Sequence, residues 1–454
     1  MKIISHKKTG YRRRLAELTR IPEPNMDIRR TVRHVLAEIR EKGDKALVDL
    51  SNQFGSEQIT RTSLEIKGRV PKPAPEVQKA IKQSLANIEA FHKGRVPKSW
   101  MGKNKQGGRV GERYDPFDRV GVYVPGGTAP LVSTALMTVT LARVAGVENI
   151  VVCTPAPVHP AVHYAMKQAG ATEIYQVGGA QAIAAMAYGT GTIKRVNKIF
   201  GPGNAYVVEA KRQVFGLVGV DLLPGPSEIA VLADRSADMR YVAADLLAQA
   251  EHGPGSQIFM VTPDLRYLEQ VHACILEQVE GLERKRYLKE TLNLGCYLVH
   301  VPSVKAGVEL IERIAPEHAA INCRGAAQVA KGIRNCGGVF IGNYSPVAVG
   351  DYAAGPSHTL PTGGAGSGFS GLTVDQFVRR TSVVQFDRPS LARIRKTVET
   401  LAEVESMDAH QESVSIRFAN KRASAAPKKA AVRKPAATKK GARKKVVRKK
   451  AKRK

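Results

Sequence analysis

The stretch Val120-Gly-Val-Tyr-Val124, followed by Pro125-Gly-Gly-Thr128 and a helical pattern from Ser133, decides how this chain is read. A short β-branched run that ends in glycines and leads into a helix is one βα unit. The pattern recurs. Candidate strands fall at residues 120–124, 149–153, 173–177, 229–233, 257–262, 296–301 and 338–341, with candidate helices such as 133–145, 158–168, 204–215 and 304–314 between them. Such alternation argues for parallel sheets covered by helices on both faces. The expected fold class is α/β: two Rossmann-like parallel-sheet domains, a small helical C-terminal segment and a disordered basic tail.

Upstream, residues 26–53 read as one amphipathic helix with Val32, Val35, Leu36 and Ile39 at helical spacing. Residues 76–92 read as another, opened by Pro73-Ala-Pro75. The Gly-, Lys- and Arg-rich residues 96–118 and the Gly/Pro/Ser-rich residues 346–371 read as long loops, the second of a kind that usually carries function. Helices at 390–406, with Ser390 as N-cap, and at 410–417 close the body. The expected division is an arm over 1–20, a first domain from 21–122 and 228–372, a second from 123–227, a small C-terminal domain over 373–420 and the tail 421–454.

The net charge of +30 describes two different objects. Residues 421–454 hold seventeen Lys or Arg and no acid, so the other 420 residues carry only +13. The tail is Lys-, Arg-, Ala- and Pro-rich and disordered by composition. No run of eighteen apolar residues predicts a membrane span, and the N-terminus lacks the apolar core and cleavage site of a secretory signal. Five scattered cysteines without a C-x-x-C pair suit a reducing compartment, so the expected location is cytoplasmic.

Three glycine turns stand where α/β sheets bind ligands: Tyr123-Val-Pro-Gly-Gly-Thr128, Val177-Gly-Gly-Ala-Gln181 and Phe200-Gly-Pro-Gly-Asn204. Any one of them is ordinary turn chemistry. Three on one sheet edge favour a crevice in which a dinucleotide approaches the backbone. The usual G-x-G-x-x-G is lacking in that context: its single occurrence, Gly366–Gly371, follows no strand and is discarded. No phosphate-binding G-x-x-x-x-G-K-[ST] occurs either.

A second group of residues could carry proton transfer or a metal. Gln249-Ala-Glu-His252 closes a helical run just before Gly253-Pro-Gly255, so Gln249 and His252 share one face of a helix end whose partial negative charge suits a cation. Alone, such a pair is an ordinary surface feature. Pro316-Glu317-His318 sets two common acid/base types side by side at the mouth of a short strand. Adjacent residues in extended chain face opposite ways, which would give the two different partners unless they sit on a turn. Asp351 and His358 bracket part of the glycine-rich loop, and Glu405 and His410 flank Ser-Met-Asp-Ala. No contiguous zinc signature exists, yet Gln249, His252, Asp351 and His410 form an N/O set that would suit zinc if the fold gathered them.

These stretches together resemble the bacterial histidinol dehydrogenase family. The resemblance runs through residues 123–127, 177–185, 199–204, 224–228, 249–253, 316–318, 350–362 and the Glu405-x-x-x-x-His410 pattern, over most of the body. It implies a zinc- and NAD-dependent four-electron oxidation of L-histidinol to L-histidine through an aldehyde, consuming two NAD per turnover, at the end of histidine biosynthesis. It further implies one zinc per subunit, held by Gln249, His252, Asp351 and His410. His318 would take the alcohol proton and Glu317 would activate the hydrolytic water. Tyr123, Gln181 and Asn204 would contact the dinucleotide. Ser227, His358 and Glu405 would line the substrate pocket with the zinc ligands and His318. It also implies an intertwined homodimer in which Glu405 and His410 complete the neighbour's site.

Two other chemistries are alternatives. A thiohemiacetal route through Cys153 has no place in the family scheme, and a metal hydrolase with Glu317 as base would leave three dinucleotide-type turns idle. The tail lies outside the resemblance. It is either a solvated, silent extension or a polyanion-binding segment that associates weakly with nucleic acid.

Overall fold

A computed structural model describes residues 1–18, 25–126 and 129–419; the basic tail lies outside the described residues. The chain divides into a larger unit, Met1–Trp100 with Glu112–Ser382, and a smaller one, Met101–Gly111 with the chain from Val383. Among the described residues no helix is long and apolar enough to cross a membrane.

Two parallel sheets organise the larger unit. The five-stranded sheet runs Glu173–Tyr175, Asn149–Cys153, Arg119–Tyr123, Lys198–Phe200, Gly219–Val220. Numbered along the chain, that is the 3-2-1-4-5 order of a doubly wound fold, reversing direction between Arg119–Tyr123 and Lys198–Phe200. The six-stranded sheet runs Lys2–Ser5, Cys296–His300, Gln257–Thr262, Glu228–Ala233, His318–Asn322, Gly338–Ile341. It repeats the same winding, with an N-terminal strand added at one edge.

Both sheets are covered on both faces, which explains the near-continuous apolar strands. Along Glu228–Ala233, Ile229, Val231 and Ala233 enter one core while Ala230 and Leu232 enter the other. The five-stranded sheet has the same two-sided burial, with Val151 and Cys153 on one face and Ile150 and Val152 on the other.

The cores correct the expected grouping. Helices Met26–Lys42 and Asp44–Phe54 bury Val32, Val35, Leu36, Ile39 and Leu47 against the five-stranded sheet, and Pro75–Lys93 buries Ile81 and Ile88 there too. The core over these helices is therefore that of the five-stranded sheet, and of residues 228–372 it takes in Leu372. The expected arm is not separate: its residues Lys2–Ser5 pair in parallel with Cys296–His300 of the six-stranded sheet.

Other differences have local causes. The helix expected over 26–53 breaks at Gly43, where φ is 55° and ψ −130°. The expected loop over 96–118 holds strands Trp100–Lys103 and Arg109–Pro116, both poor in buried apolar residues and so weakly patterned. A short helix, Val347–Tyr352, opens the expected 346–371 loop. In the smaller unit the cap of helix Arg388–Val404 is Asp387, and Ser390 completes its capping box from the third position.

One buried contact holds the third glycine turn. Lys211 and Asp221 form an ion pair with both side chains fully buried. Lys211 Nζ also donates to the Gly201 carbonyl at 2.9 Å, and the Gly201 N–H donates to Asp221 Oδ2 at 2.7 Å. Gly201 sits at φ 105°, and a Cβ there would meet the Tyr123 carbonyl oxygen, so only glycine lets the two switch-point strands end this close. Removing one charge would leave the other buried and unpaired. Lys211→Met is expected to cost about 3–5 kcal/mol, measured as a lowered urea midpoint with an unchanged slope.

Candidate active site

The glycine turns do converge. Tyr123, Gln181 and Asn204 all line one cavity of about 880 Å³ at the carboxyl ends of the five-stranded sheet. Each is placed by local structure. Tyr123 ends its strand, is 3% exposed, and its hydroxyl accepts the Gly179 N–H at 3.0 Å. Burial pushes its phenol up to about 12, so it stays a neutral donor. Gln181 lies in the first turn of helix Gly179–Tyr188. Asn204 caps helix Ala205–Val214, its Oδ1 accepting from Tyr206 and Val207 N–H at 3.1 Å. That leaves only its amide nitrogen for a ligand. The far wall, including Phe54, Ser56 and Glu57, comes from the segment after helix Asp44–Phe54, and Ser56 Oγ ties it to the Ala156 carbonyl at 3.2 Å. Sequence reading missed this wall because no motif marks it.

A second constellation sits at the amino ends of two central strands of the six-stranded sheet. Glu228–Ala233 and His318–Asn322 pair in parallel with Ile229 opposite His318. This register sets Ser227-Glu228 beside Glu317-His318. Ser227 Oγ donates to Glu317 Oε2, and the Glu228 N–H donates to the same oxygen at 3.0 Å. His318 Nδ1 lies 3.0 Å from the Glu228 carbonyl. A carbonyl can only accept, so Nδ1 carries the proton and Nε2 keeps its lone pair. Glu317 Oε2 and His318 Nδ1 are 3.7 Å apart: the neighbours serve one site rather than opposite faces, because Glu317 precedes the strand and escapes its alternation.

Beyond His318 Nε2 stands Asp351, its Oδ1 at 4.0 Å, with His358 Nδ1 3.8 Å from the same oxygen. Helix Val347–Tyr352, which carries Asp351, packs on helix Met239–Ala250, which carries Gln249. That helix ends two residues earlier than expected, at Ala250: Glu251 is its C-cap, and His252 follows in a turn, its N–H donating to the Gln249 carbonyl at 3.2 Å.

The charges of this group are unusual. Burial holds His252, His318 and His358 below the ordinary imidazole range, His358 to about 4, and the imidazoles also repel one another's protons. Burial lifts Asp351 to about 6 against the pull of His318, and lifts Glu317 and Glu228 to about 7 against their hydrogen bonds. Three neutral imidazoles around a carboxyl in need of a cation are the protonation states a metal requires of its ligands. Two buried atoms in the group, Gln249 Nε2 and His358 Nε2, lack hydrogen-bond partners. The donor set thus fits a zinc ion. Among the described residues no three His, Cys, Asp or Glu side chains already converge at metal distance.

Glu405 and His410 belong to that smaller unit, at the C-cap of Arg388–Val404 and in helix Asp408–Ser415, and both are exposed. The larger unit thus brings together Ser227, Glu317, His318, Asp351 and His358, with His252 coupled to them electrostatically and Gln249 on the packed helix. Glu228 was not among the expected site residues; its backbone hydrogen-bonds both Glu317 and His318. Cys153 is fully buried and its thiol is pushed up to about 12, which removes the thiolate that a thiohemiacetal route needs.

A cavity at the switch point of one doubly wound sheet and a buried carboxyl–imidazole pair at that of the other are the features of an α/β enzyme. The chain belongs to the histidinol dehydrogenase family, whose model matches residues 18–418. The histidinol dehydrogenase of Synechococcus is 41% identical over 434 residues, covering 92% of this chain and 98% of that one. That of Rhizobium meliloti is 41% identical over 424 residues, covering 91% and 98%. The crystal structure of histidinol dehydrogenase from Elizabethkingia anophelis superimposes with a TM-score of 0.86 at 33% identity, covering 92% of this chain and 98% of that one.

Proposed function

We propose that this chain oxidises L-histidinol to L-histidine through L-histidinaldehyde, with zinc and two NAD per turnover, as the closing steps of histidine biosynthesis in the cytoplasm. The observation that carries the reading is the His318–Glu228 hydrogen bond, which leaves Nε2 as a base facing Asp351.

Gln249, His252, Asp351 and His410 would hold the zinc, which supplies a positive anchor for the imidazole and amine of the substrate. NAD, bound in the cavity of Tyr123, Gln181 and Asn204, supplies the hydride acceptor. The chain's own residues do the rest. His318 Nε2 accepts the alcohol proton as the first hydride leaves carbon, giving the aldehyde. Glu317, poised near neutrality by burial, takes a proton from water as that water adds to the aldehyde carbonyl. The carbonyl oxygen takes back the proton held on His318, and the resulting gem-diol gives up the second hydride and two protons, one to His318 and one to solvent, to become the carboxylate. Ser227 holds Glu317 in line, and His358 and Glu405 line the substrate pocket. Burial around His318 and His358 keeps bulk water from competing.

The exposure of Glu405 and His410 supports a homodimer in which one subunit's C-terminal segment completes the other's site. The cavity's lining contains no Lys or Arg among the described residues, which supports NAD over its 2′-phosphorylated relative, since that phosphate would lack a cation. The tail adds a separate property: seventeen cations without an acid would bind polyanions by counterion release.

Three outcomes are expected. Histidinol should drive reduction of NAD, followed by absorbance, at about two equivalents per histidine formed, and a chelator should abolish the signal until zinc is restored; turnover unaffected by complete zinc removal would sink the reading. Mixing inactive His252→Asn and His410→Asn proteins should recover part of the activity through hybrid dimers, and no recovery after demonstrated subunit exchange would exclude shared sites. DNA retention should fall steeply with salt for the full chain and be lost when it ends at Arg422; equal retention would assign the tail no such role.

A further inference from the structure

Helix Pro75–Lys93 turns one side to the core over the five-stranded sheet, where Ile81 and Ile88 meet Val120, Val122 and Met137. Other residues of the same helix grip the segment joining Asp351 to His358. Ser84 Oγ donates to the Tyr352 carbonyl, and Asn87 Nδ2 donates to the Ala353 carbonyl at 2.8 Å. His92 of the same helix is 1% exposed, and neither of its ring nitrogens has a hydrogen-bond partner. Gly355 adopts φ 110°, and a Cβ there would stand 3.0 Å from both the Asn87 carbonyl oxygen and Phe91 Cβ. Glycine is what permits so close an approach.

The segment leaves the last turn of helix Val347–Tyr352, where carbonyls have no partner farther along the helix and must find one elsewhere. Water would satisfy them in many geometries; side chains on a helix anchored in a core satisfy them in one. We propose that Ser84 and Asn87 are positioning residues that strap the backbone at Tyr352 and Ala353, so that Asp351 and His358 converge beside His318 and the metal site is preorganised. The proposal rests on Asp351 being a zinc ligand. Partners that orient a ligand from behind commonly govern metal affinity by about 10–100-fold, because without them binding must also order the ligand's backbone.

Asn87 separates this role from a purely structural one. Its residue is exposed, and alanine is the better helix former at such a position, so Asn87→Ala should leave the melting temperature unchanged or slightly raised. The test measures zinc affinity of the full-length protein by competition with a chromogenic chelator, alongside steady-state kinetics. Asn87→Ala and Ser84→Ala should weaken zinc by about 10–100-fold and raise KM for histidinol more than they lower kcat, with KM for NAD unmoved. Ser84→Thr, which keeps the hydroxyl, should retain parental affinity. Asp351→Ala serves as the reference. If it loses zinc while Asn87→Ala and Ser84→Ala bind as the parent does, the strap is overturned and the ligand assignment stands. If Asp351→Ala itself binds zinc like the parent, the ligand assignment falls and the strap falls with it.

Discussion

The site depends on one register. Strands Glu228–Ala233 and His318–Asn322 pair so that Ile229 faces His318, and with that alignment the Glu228 backbone supplies an N–H to Glu317 and a carbonyl to His318. A slip of one residue would reverse every side chain along the strand and take the pair out of the site. The slip is prevented by burial: all five residues of His318–Asn322 and all six of Glu228–Ala233 are buried. Two cores therefore pin the geometry of a carboxyl–imidazole pair whose protonation burial also sets.

The two switch points are used from opposite ends. The five-stranded sheet offers its carboxyl ends to a cavity, the usual arrangement for nucleotides in open α/β sheets. The six-stranded sheet instead presents the amino ends of its central strands. Loops there are free of the dinucleotide's geometric demands and can carry acids and imidazoles. Burial then makes those groups costly unless neutral or paired with a cation, which is why carboxyls lifted to about 6 and 7 stand among imidazoles held neutral.

Much of the architecture was legible in sequence. Strands Asn149–Cys153, Gln257–Thr262 and Gly338–Ile341 and helix Val304–Ile314 fall where periodicity sets them, because buried parallel strands and amphipathic helices write strong patterns. Lys2–Ser5 was not legible: four residues beside a charged segment carry too little pattern. Nor was the allegiance of residues 26–93, since a helix's apolar stripe says that it packs but not on which sheet.

For the site, residue types and glycine turns alone yielded weak candidates, and a family resemblance named the rest. The sequence by itself determined that the chain is α/β, that glycines stand at three strand ends, and that a basic tail is appended, because these follow from short-range periodicity, backbone sterics and charge count. Only the tertiary structure decided that Glu317 and His318 face one site, that Glu228 orients both, and that a helix some 260 residues away in sequence grips the segment beside Asp351. Those relations arise from register and packing between elements distant along the chain, and no local pattern encodes the partner that a buried group will meet.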